Sequence, residues 1–455
     1  MNPLVGLQKR GLLAQSVHPQ ELGEHFLSSQ RSVYFGIDPT AESMHVGHLV
    51  LFRAALHLQS LGHRIVVVLG GATSLIGDPS GKTKMRSMMS HKTIADHLVS
   101  LKKQMSQYID VQDPQKGMFV DNAQWLMDLK YLEFIRDIGK HFSVNRMLTA
   151  ECFKQRLHEG LSFLEFNYML LQSYDFYHLF ENHGVSVQIG GDDQWSHMLS
   201  GVDLVRRISR HQVYALTVPL LISSSGKKMG KTEDGVVWLD PEKTSPLSFF
   251  QYWRNLDDAD VLPCMRMLTD VDDNYWTQRL TDTNHVQDWS EAKNVLAYEI
   301  TAFVHGKDEA VKVRDVVTAL FQKGSSAVAA AHFSMQDPAQ VSSCVKDTAE
   351  DDNSSKSTGD LLSNDALKKA MDPTWISWQN EESSTDPQKP LQDIMVLADV
   401  VSSKKEARRL FEQGGIQLEG KVCKDPYLAV KRSVLCAEGL WLKKGKKSFY
   451  LLKCK

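Results

Sequence analysis

The 455-residue sequence contains no apolar run of the roughly 18 residues that a membrane-spanning helix needs. Its six cysteines are scattered and form no C-x-x-C pair, so neither a zinc site nor a disulfide framework is expected, and a reducing compartment fits. The N-terminal segment lacks the apolar core of a secretory signal and the Arg- and Ser-rich composition of an organelle import signal. We therefore expect no membrane association and a cytoplasmic location, with the mitochondrial matrix as the alternative.

No excess of one charge sign marks the chain as a whole, because its formal net charge is only −3. The charges are nevertheless distributed unevenly. Residues 347–386 include ten acids against three lysines, whereas 387–455 holds fifteen Lys or Arg and seven acids. A basic unit behind an acidic stretch indicates a nucleic-acid-binding module, although a solvated lysine-rich surface would have the same composition.

The first part of the chain has the pattern of an α/β fold. Two short β-rich apolar runs, 32–38 and 64–70, flank a segment with apolar residues at helical spacing, 48–62. Strand, helix and strand make one crossover unit of a parallel sheet, and Val185–Gly191 predicts a further strand. The sequence therefore predicts a Rossmann-like parallel sheet, in which nucleotides bind at the carboxyl ends of the strands.

Composition divides the chain into four expected parts. Residues 1–222 form the α/β part, and 223–341 contains a lysine-rich loop followed by helical patterns. Residues 342–389 have the Ser, Asp and Pro content of a flexible acidic linker. The last part, 390–455, mixes a basic helix with strand-like runs, which predicts a small α+β module.

The segment LIGDPSGKT, 75–83, resembles a phosphate-binding P-loop at first sight. A P-loop needs four residues between its first glycine and the Gly-Lys-Ser/Thr that follows, whereas Gly77 and Gly81 enclose three. Pro79 moreover has no N–H to donate to a phosphate. A P-loop enzyme is therefore disfavoured, and the loop needs another explanation.

Two other segments bring polar groups to the α/β part. YFGIDPTAESMHVGHL places His45 and His48 around Gly47 at a helix start, which favours anions and lets a flat base approach the backbone. SSSGKKMGKTEDG carries Lys228 and Lys231 in a glycine- and serine-rich loop that could close on a polyanion. Taken singly, the first segment is better interpreted as an ordinary helix start with two surface histidines, and the second as a solvated charged turn. No third ligand suggests a metal site.

Together these segments resemble the paired signatures of class I aminoacyl-tRNA synthetases. The segments YFGIDPTAESMHVGHL, GGATSLIGDPSGKT, IGGDDQW and KKMGKTEDGVVWLD, in this order, are similar to tyrosyl-tRNA synthetases of the bacterial and organellar kind. The resemblance covers nearly the whole chain, including the basic C-terminal unit, which is similar to the family's alpha-L RNA-binding module. It implies an enzyme that activates L-tyrosine with ATP, releases pyrophosphate and transfers tyrosine to the 3′-terminal ribose of tRNA(Tyr).

One predicted helix carries a polar stripe that fits this substrate. Within the apolar segment 162–180, Tyr168, Gln172 and Asp175 recur at positions i, i+4 and i+7. A structural hydrogen-bond network is the alternative, less favoured interpretation of this stripe. The resemblance implies a pocket wall, with Asp175 and Tyr34 at the phenolic hydroxyl of tyrosine and Tyr168, Gln172 and Asp78 around its ammonium group.

The resemblance implies further roles. The residues expected to act in catalysis, mainly on the ATP phosphates, are Thr40, His45, His48, Lys82, Arg86, Lys228 and Lys231. Those expected to bind ATP are Gly36, Asp38, Gly47, Gly191, Asp193, Lys231 and Thr232, with Gln194 beside the tyrosyl group. Mg²⁺ would accompany ATP as a phosphate counter-ion without a dedicated protein site. A homodimer joined through the α/β domains is also implied.

The sequence departs from the family at two positions. Phe35 stands where many relatives have a cysteine, and Leu51 stands where some have threonine, which removes possible ribose contacts. A non-catalytic RNA-binding descendant is the alternative function. Such a protein should have lost some of the signature residues, all of which are present: His45, His48, Lys228 and Lys231. A tryptophan-specific relative would share the fold, and Tyr34 with Asp175 argues against it.

Overall fold

The structure is a computed structural model that describes most of the chain. The described residues are 2–80, 89–232, 235–281, 288–322, 373–376, 387–418, 421–437, 439–445 and 448–454. The chain forms two compact units, one made of Met1–Thr244 with Tyr252–Ile300 and the other of Ser245–Gln251 with Thr301–Lys455. Neither unit ends at residue 222, and the four-part division of the sequence stays a prediction.

A six-stranded sheet forms the centre of the first unit. Its strands are β1 Gln15–Ser16, β2 Ser32–Ile37, β3 Arg64–Leu69, β4 Gly117–Asp121, β5 Val185–Gly191 and β6 Tyr214–Val218. They lie in the order β1-β6-β5-β2-β3-β4. All neighbours run parallel except the short edge strand β1, which pairs antiparallel with β6. The predicted parallel-sheet fold is therefore confirmed.

The direction of chain travel reverses between two neighbouring strands of this sheet. From β2 the chain proceeds through β3 to β4 on one side, whereas from β5 it proceeds to β6 on the other. Such a reversal opens a crevice outside the carboxyl ends of the two central strands, because their connecting helices lie on opposite faces. This crevice is where the polar segments after β2 and β5 meet.

Helices connect the strands. Those of the first part are Pro3–Lys9, Pro19–Ser28, Leu49–Ser60, His91–Met105, Ala123–Leu126, Tyr131–Asp137, Val144–Leu148, Glu151–Glu159, Phe163–His183 and Trp195–Ser209. The helix Phe163–His183 begins with a capping box between Ser162 and Glu165 and ends at Gly184, whose φ is 64°. These local signals determine where the helix begins and ends, and therefore where its polar stripe lies along the helix.

Short helical turns and helices complete the described chain as far as residue 322. The 3-10 turns are Val46–His48, Thr73–Leu75, Gly139–His141 and Asp192–Gln194. The helices after β6 are Pro246–Arg254, Asp258–Leu268, Asp273–Thr281, Asp288–His305 and Lys307–Gln322, as the helical patterns predicted. Two short strands, β7 Lys231–Thr232 and β8 Gly235–Val236, pair with each other in antiparallel fashion. They lie in the chain between β6 and the first of these helices. In the described residues, no helix is both long enough and apolar enough to span a membrane.

The C-terminal residues form a small α+β module. Its strands are β9 Pro373–Ile376, β10 Gln388–Pro390, β11 Ile416–Leu418, β12 Lys421–Val422, β13 Ala429–Lys431, β14 Leu440–Lys444 and β15 Ser448–Cys454, and its helices are Leu391–Leu397, Lys404–Glu412 and Arg432–Ala437. Leu391, Ile394, Phe411 and Leu442 are among the side chains of its apolar core. Five of the strands form one sheet in the order β12-β11-β14-β15-β9.

One short apolar segment within the expected linker range joins the C-terminal sheet. Pro373–Ile376 lies in the range expected to be a linker, 342–389, yet it pairs in parallel with Ser448–Cys454. Ile376 is fully buried in the core of the module, so an apolar side chain explains why this segment joins the sheet. Apart from 373–376 and 387–389, the expected linker lies outside the described residues.

Candidate active site

A cavity of about 550 Å³ lies at the carboxyl ends of β2 and β5. This volume suits a small organic ligand. The predicted site residues that line it are Tyr34, Gly36, Asp38, Thr40, His45, Gly47, His48, Asp78, Tyr168, Gln172, Asp175, Gly191, Asp193, Gln194 and Lys228. The fold therefore brings together residues that are far apart in the sequence.

The remaining predicted site residues are not among those that line the cavity in the described part of the chain. Lys82 and Arg86 lie outside the described residues. Lys231 and Thr232 form strand β7, which pairs with Gly235–Val236. Their expected roles stay predictions.

Asp175 is held in the cavity wall by two donors that the sequence interpretation missed. Asn122 Nδ2 donates to Asp175 Oδ2 over 3.0 Å, and Trp125 Nε1 donates to Asp175 Oδ1 over 2.7 Å. Both donors lie at or just after the end of β4, at the start of the helix Ala123–Leu126. The sequence does show an asparagine and a tryptophan, in DNAQW, just after β4. No local pattern, however, indicates that they donate to a carboxylate about 50 residues later in the chain.

The charge state of Asp175 is set by its burial. Removal from water raises the pKa of this carboxyl to about 7, and the nearby charges of Asp38 and Asp121 act in the same direction. The hydrogen bonds from Asn122 and Trp125 oppose this rise because they stabilise the ionised form. Asp175 can therefore change between donor and acceptor near neutral pH.

Two buried polar atoms of the cavity wall have no hydrogen-bond partner in the described part of the chain. They are the hydroxyl of Tyr34, whose side chain is 2% exposed, and Oε1 of Gln172. Burial and the neighbouring Asp175 carboxylate raise the pKa of Tyr34 well above its ordinary value, so the phenol keeps its proton. A buried polar atom without a partner is costly, and a ligand with matching polar groups would remove that cost.

A hydrogen-bonded network fixes the middle of the cavity. Tyr168 donates its hydroxyl to Asp38 Oδ2 over 3.0 Å, and Thr73 donates to Asp38 Oδ1 over 2.7 Å. Asn122 Nδ2 also donates to Thr73 Oγ1, which links Asp38 to the surroundings of Asp175. The network makes the cavity wall rigid before any ligand binds.

Asp78 lines the same cavity as the polar stripe of Tyr168, Gln172 and Asp175. Its Oδ2 accepts a hydrogen bond from Gln194 Nε2 over 2.8 Å, and its Oδ1 accepts one from the backbone N–H of Ser80 over 2.9 Å. His197, which the sequence interpretation did not single out, lies 3.6 Å from Asp78 Oδ1 through its Nε2. The segment 75–83 thus supplies a carboxylate to the cavity, whereas a P-loop would supply phosphate-binding N–H groups.

The two signature histidines share one short turn. His45 caps the turn Val46–His48 by accepting the Gly47 N–H at its Nδ1, and the backbone N–H of His45 is bonded to His48 Nδ1. Burial lowers the pKa of His48, so its imidazole is neutral at neutral pH. A side chain at Gly47 would place its Cβ 2.9 Å from the His45 ring, which explains the glycine at this position.

The lysine-rich loop is anchored next to this turn. Gly230 donates its N–H to the hydroxyl of Tyr252 over 2.8 Å, and the backbone N–H of Ser224 is bonded to Asp260 Oδ1. Gly230 has a φ of 80°, and a Cβ there would lie 2.3 Å from Val46, so only glycine fits. Lys228 is exposed and lines the cavity.

The two positions that depart from the family differ in their surroundings. Phe35 is fully buried and packs against Phe52, with ring centroids 6.3 Å apart. It is not among the residues that line the cavity in the described chain, whereas Leu51 is. Only Leu51 therefore offers a changed surface to a ligand.

Metal ligands are not clustered in the part of the chain that the structure describes. Among these residues, no group of three or more His, Cys, Asp or Glu side chains is arranged to hold a metal ion. Three acids of the cavity, Asp38, Asp78 and Asp175, are instead engaged in the hydrogen bonds given above.

Comparison with known proteins assigns the family. Residues 28–322 match the family described as tRNA synthetases class I (W and Y), and 380–452 match the tyrosine–tRNA ligase SYY-like C-terminal domain. A tyrosine–tRNA ligase of Clostridium perfringens is 43% identical over 448 residues, which are 98% of each chain. One of Clostridium tetani is 42% identical over 444 residues, or 97% of each.

Solved structures agree with this assignment. A C-terminally truncated mitochondrial tyrosyl-tRNA synthetase of Aspergillus nidulans matches with a TM-score of 0.63 at 29% identity, covering 70% of this chain and 94% of that one. The corresponding enzyme of Coccidioides posadasii matches with a TM-score of 0.60 at 26% identity, covering 69% and 91%. The chain therefore belongs to the tyrosyl-tRNA synthetases, within the class I tRNA synthetases.

Proposed function

We propose that this chain activates L-tyrosine with ATP to tyrosyl-adenylate and then transfers tyrosine to the 3′-terminal ribose of tRNA(Tyr). The observation that carries the proposal is the pair of unpartnered buried atoms, Tyr34 Oη and Gln172 Oε1, in one cavity with the carboxylate of Asp175. Tyrosine has a hydroxyl at one end and an ammonium group at the other. Its polar groups complement the atoms that the cavity leaves unsatisfied.

Recognition of the phenolic hydroxyl belongs to Asp175 and Tyr34. The ionised Asp175 accepts the substrate's O–H, and the protonated Tyr34 donates to the same oxygen. Phenylalanine would leave the buried Tyr34 hydroxyl without a partner and would offer no donor to the Asp175 carboxylate, which together cost several kcal/mol. Tyr168, Gln172 and Asp78 lie around the ammonium group, where Asp78 supplies the counter-charge.

The activation step needs little proton transfer. The tyrosine carboxylate is already an anion, attacks the α-phosphorus of Mg–ATP and expels pyrophosphate, so positioning and stabilisation of charge do most of the catalysis. The residues that act on the phosphates are Thr40, His45, Lys82, Arg86, Lys228 and Lys231. The nucleoside part of ATP is bound by Gly36, Asp38, Gly47, His48, Gly191, Asp193 and Thr232. The tyrosyl group is bound by Gln194.

The C-terminal module binds the tRNA backbone. Its helix Lys404–Glu412 buries Ala407 and Phe411 and exposes Lys404, Lys405, Arg408 and Arg409. Exposed cations on one basic unit suit electrostatic binding to phosphates. The two-part match of the chain to synthetase and C-terminal-domain families supports this role.

The working form is a homodimer joined through the α/β domains. Large apolar side chains are exposed in the segment 131–163, where Leu132 is 80% exposed and Phe163 is 69% exposed. Water contact of this extent is unfavourable, and a second copy of the chain would bury it. The variant Leu132→Asp should lower the molar mass measured by light scattering, and an unchanged mass would contradict this interface.

The proposed compartment is the cytoplasm, with the mitochondrial matrix as the alternative. Bacterial enzymes among the relatives support the first, and the mitochondrial enzymes among the solved structures support the second. Immunodetection in separated cell fractions distinguishes them.

The experiment that tests the activity is tyrosine-dependent exchange of labelled pyrophosphate into ATP, with tryptophan and phenylalanine as controls. Exchange with tyrosine alone is expected. Absence of exchange with every amino acid, from folded protein, would favour the non-catalytic RNA-binding alternative. Exchange with tryptophan would overturn the assignment of Asp175 and Tyr34.

A further inference from the structure

A fully buried histidine lies directly behind the proposed ammonium site. His197 belongs to the helix Trp195–Ser209 and is 0% exposed. Its Nε2 is 3.1 Å from Ser80 Oγ and 3.6 Å from Asp78 Oδ1. Asp78, which the proposed mechanism uses, therefore lies within ion-pair distance of this histidine.

The loop that carries Asp78 depends on such contacts for its position. Asp78 follows Gly77, which has a φ of 86°, and precedes Pro79, so no regular helix or strand holds it. Contacts that tie this loop to the helical segment 192–209 include the bond from Gln194 to Asp78 and the approach of His197 to Ser80 and Asp78. The helix therefore supplies a rigid base for an otherwise irregular loop.

The imidazole is enclosed on its other sides. The ring edges of Phe153 and Tyr168 meet it at centroid distances of 5.9 and 5.4 Å. Burial lowers the pKa of His197, but the Asp78 carboxylate and the neighbouring Cys152 outweigh it and bring the pKa to about 10. Burial likewise raises the pKa of Asp78, yet His197 and Ser80 bring it to about 2. Each group therefore stabilises the charged form of the other.

Two interpretations of this arrangement lead to different results. If His197 only fills space between helix and loop, its replacement should affect folding stability and all ligands alike. If it orients the Asp78 carboxylate, its replacement should affect ligands that carry an ammonium group and spare those that do not. The ion pair and the Ser80 contact, both directed at the Asp78 loop, favour the second interpretation.

We infer that His197 is a positioning residue for amino-acid recognition, which holds the Asp78 loop so that the carboxylate meets the substrate's α-ammonium group. The inference rests on the proposed tyrosine-activating function. His197 does not touch the substrate or the reacting atoms, and it acts through Asp78 and Ser80.

The test compares tyrosine with 3-(4-hydroxyphenyl)propionate, which is tyrosine without its amino group. In the full-length His197→Gln variant, KM for tyrosine in pyrophosphate exchange should rise about 10-fold, the loss expected for a charge-assisted contact. The inhibition constant of the propionate and KM for ATP should stay within about 2-fold, because neither ligand presents an ammonium group to Asp78.

Two further variants keep the test decisive. Ser80→Ala removes only the hydroxyl that His197 contacts, and it should raise KM for tyrosine about 3-fold, again without changing the propionate constant. His63→Gln replaces another buried histidine, 5% exposed and outside the cavity lining, and should leave all three constants unchanged. If His197→Gln does not fold, the Ser80→Ala result decides.

The outcomes separate the inference from the proposed function. A wild-type chain without tyrosine-dependent exchange would refute the proposed function. An active wild type whose His197→Gln variant binds tyrosine normally, or loses tyrosine and propionate equally, would refute the positioning role alone.

Discussion

Replacement of Asp175 by asparagine perturbs the proposed hydroxyl-recognition site with the smallest change of shape. In the structure both carboxylate oxygens accept hydrogen bonds, Oδ2 from Asn122 and Oδ1 from Trp125. An asparagine amide has one oxygen and one NH₂ group, so one of the two donors must then face another donor. The variant also loses the negative charge that accepts the substrate's hydroxyl.

The magnitude follows from these two losses. One buried donor without a partner costs about 1–3 kcal/mol, which should appear as a lower free energy of unfolding of the free variant. A hydrogen bond to a charged group contributes about 1.5–3 kcal/mol. Its loss should lower kcat/KM for tyrosine by about 10- to 100-fold, since each 1.4 kcal/mol is a factor of ten.

The same reasoning predicts a pH dependence of the wild type. Burial first, and the charges of Asp38 and Asp121 after it, raise the pKa of Asp175 to about 7. Only the ionised form accepts the substrate's hydroxyl, so kcat/KM for tyrosine should be about 10-fold lower at pH 6 than on the plateau above pH 8. The Asp175→Asn variant should lack this dependence.

The raised pKa also has a consequence for stability. Between about pH 4 and pH 7 the folded chain holds a proton on Asp175 that the unfolded chain has released, so this group makes the fold less stable as pH rises through that window. Asparagine cannot ionise. The stability difference between wild type and Asp175→Asn should therefore shrink from pH 4 to pH 8.

The values of kcat/KM for tyrosine are measured by pyrophosphate exchange at varied tyrosine concentration, from pH 5.5 to 8.5. The free energies of unfolding are measured by urea unfolding at pH 5 and pH 8. KM for ATP serves as the internal control, because Asp175 has no proposed contact with the nucleotide. Unchanged kcat/KM for tyrosine in the variant, or the same pH dependence in both proteins, would refute the role of Asp175.

Three other changes test separate parts of the structure. Lys228→Ala should lower the rate of adenylate formation about 10²- to 10³-fold while leaving tyrosine affinity within about 2-fold, and rapid-quench kinetics measure this rate. The matched control is Lys227→Ala, because Lys227 is the neighbouring lysine and does not line the cavity. A chain that ends before Pro373, so that the whole C-terminal sheet is absent, should keep adenylate formation and lose tRNA charging, and normal charging would contradict the RNA-binding role. Arg156→Ala should lower the free energy of unfolding by about 3–5 kcal/mol, because it leaves the buried Glu165 carboxylate without the Arg156 partner that lies 2.9 Å away. Burial raises the pKa of Glu165, but Arg156 and Ser162 lower it overall, so in the wild type this stabilisation should be lost as pH falls through that lowered pKa. A destabilisation by Arg156→Ala that is as large at pH 3 as at pH 7 would argue against the ion pair.

Local patterns in the sequence were sufficient for the framework of the site. The apolar runs at 32–38 and 64–70 predicted β2 and β3, and the glycine at 184 predicted the end of the long helix. The spacing of Tyr168, Gln172 and Asp175 predicted a shared polar helix face, because residues at these spacings lie together whatever surrounds the helix. The resemblance predicted that this face is a cavity wall, and the three residues line the cavity. Each of these features depends on near neighbours in the chain.

Other features required contacts between distant segments. Asn122 and Trp125 bond to Asp175, and His197 pairs with Asp78 across more than 110 residues. The strand Pro373–Ile376 is an apolar stretch within the range expected to be a linker. Its residues do not identify a partner, and pairing with β15 makes it a strand.

The physical reason is the same in each case. The sequence by itself determined which residues are polar, which elements they occupy and which face they share, since backbone geometry sets those relations over a few residues. Which buried donor meets which buried acceptor depends on how the chain packs, and burial in turn determines charge, as the pKa of about 7 for Asp175 illustrates. The tertiary structure alone decided those pairings and the protonation states that follow from them.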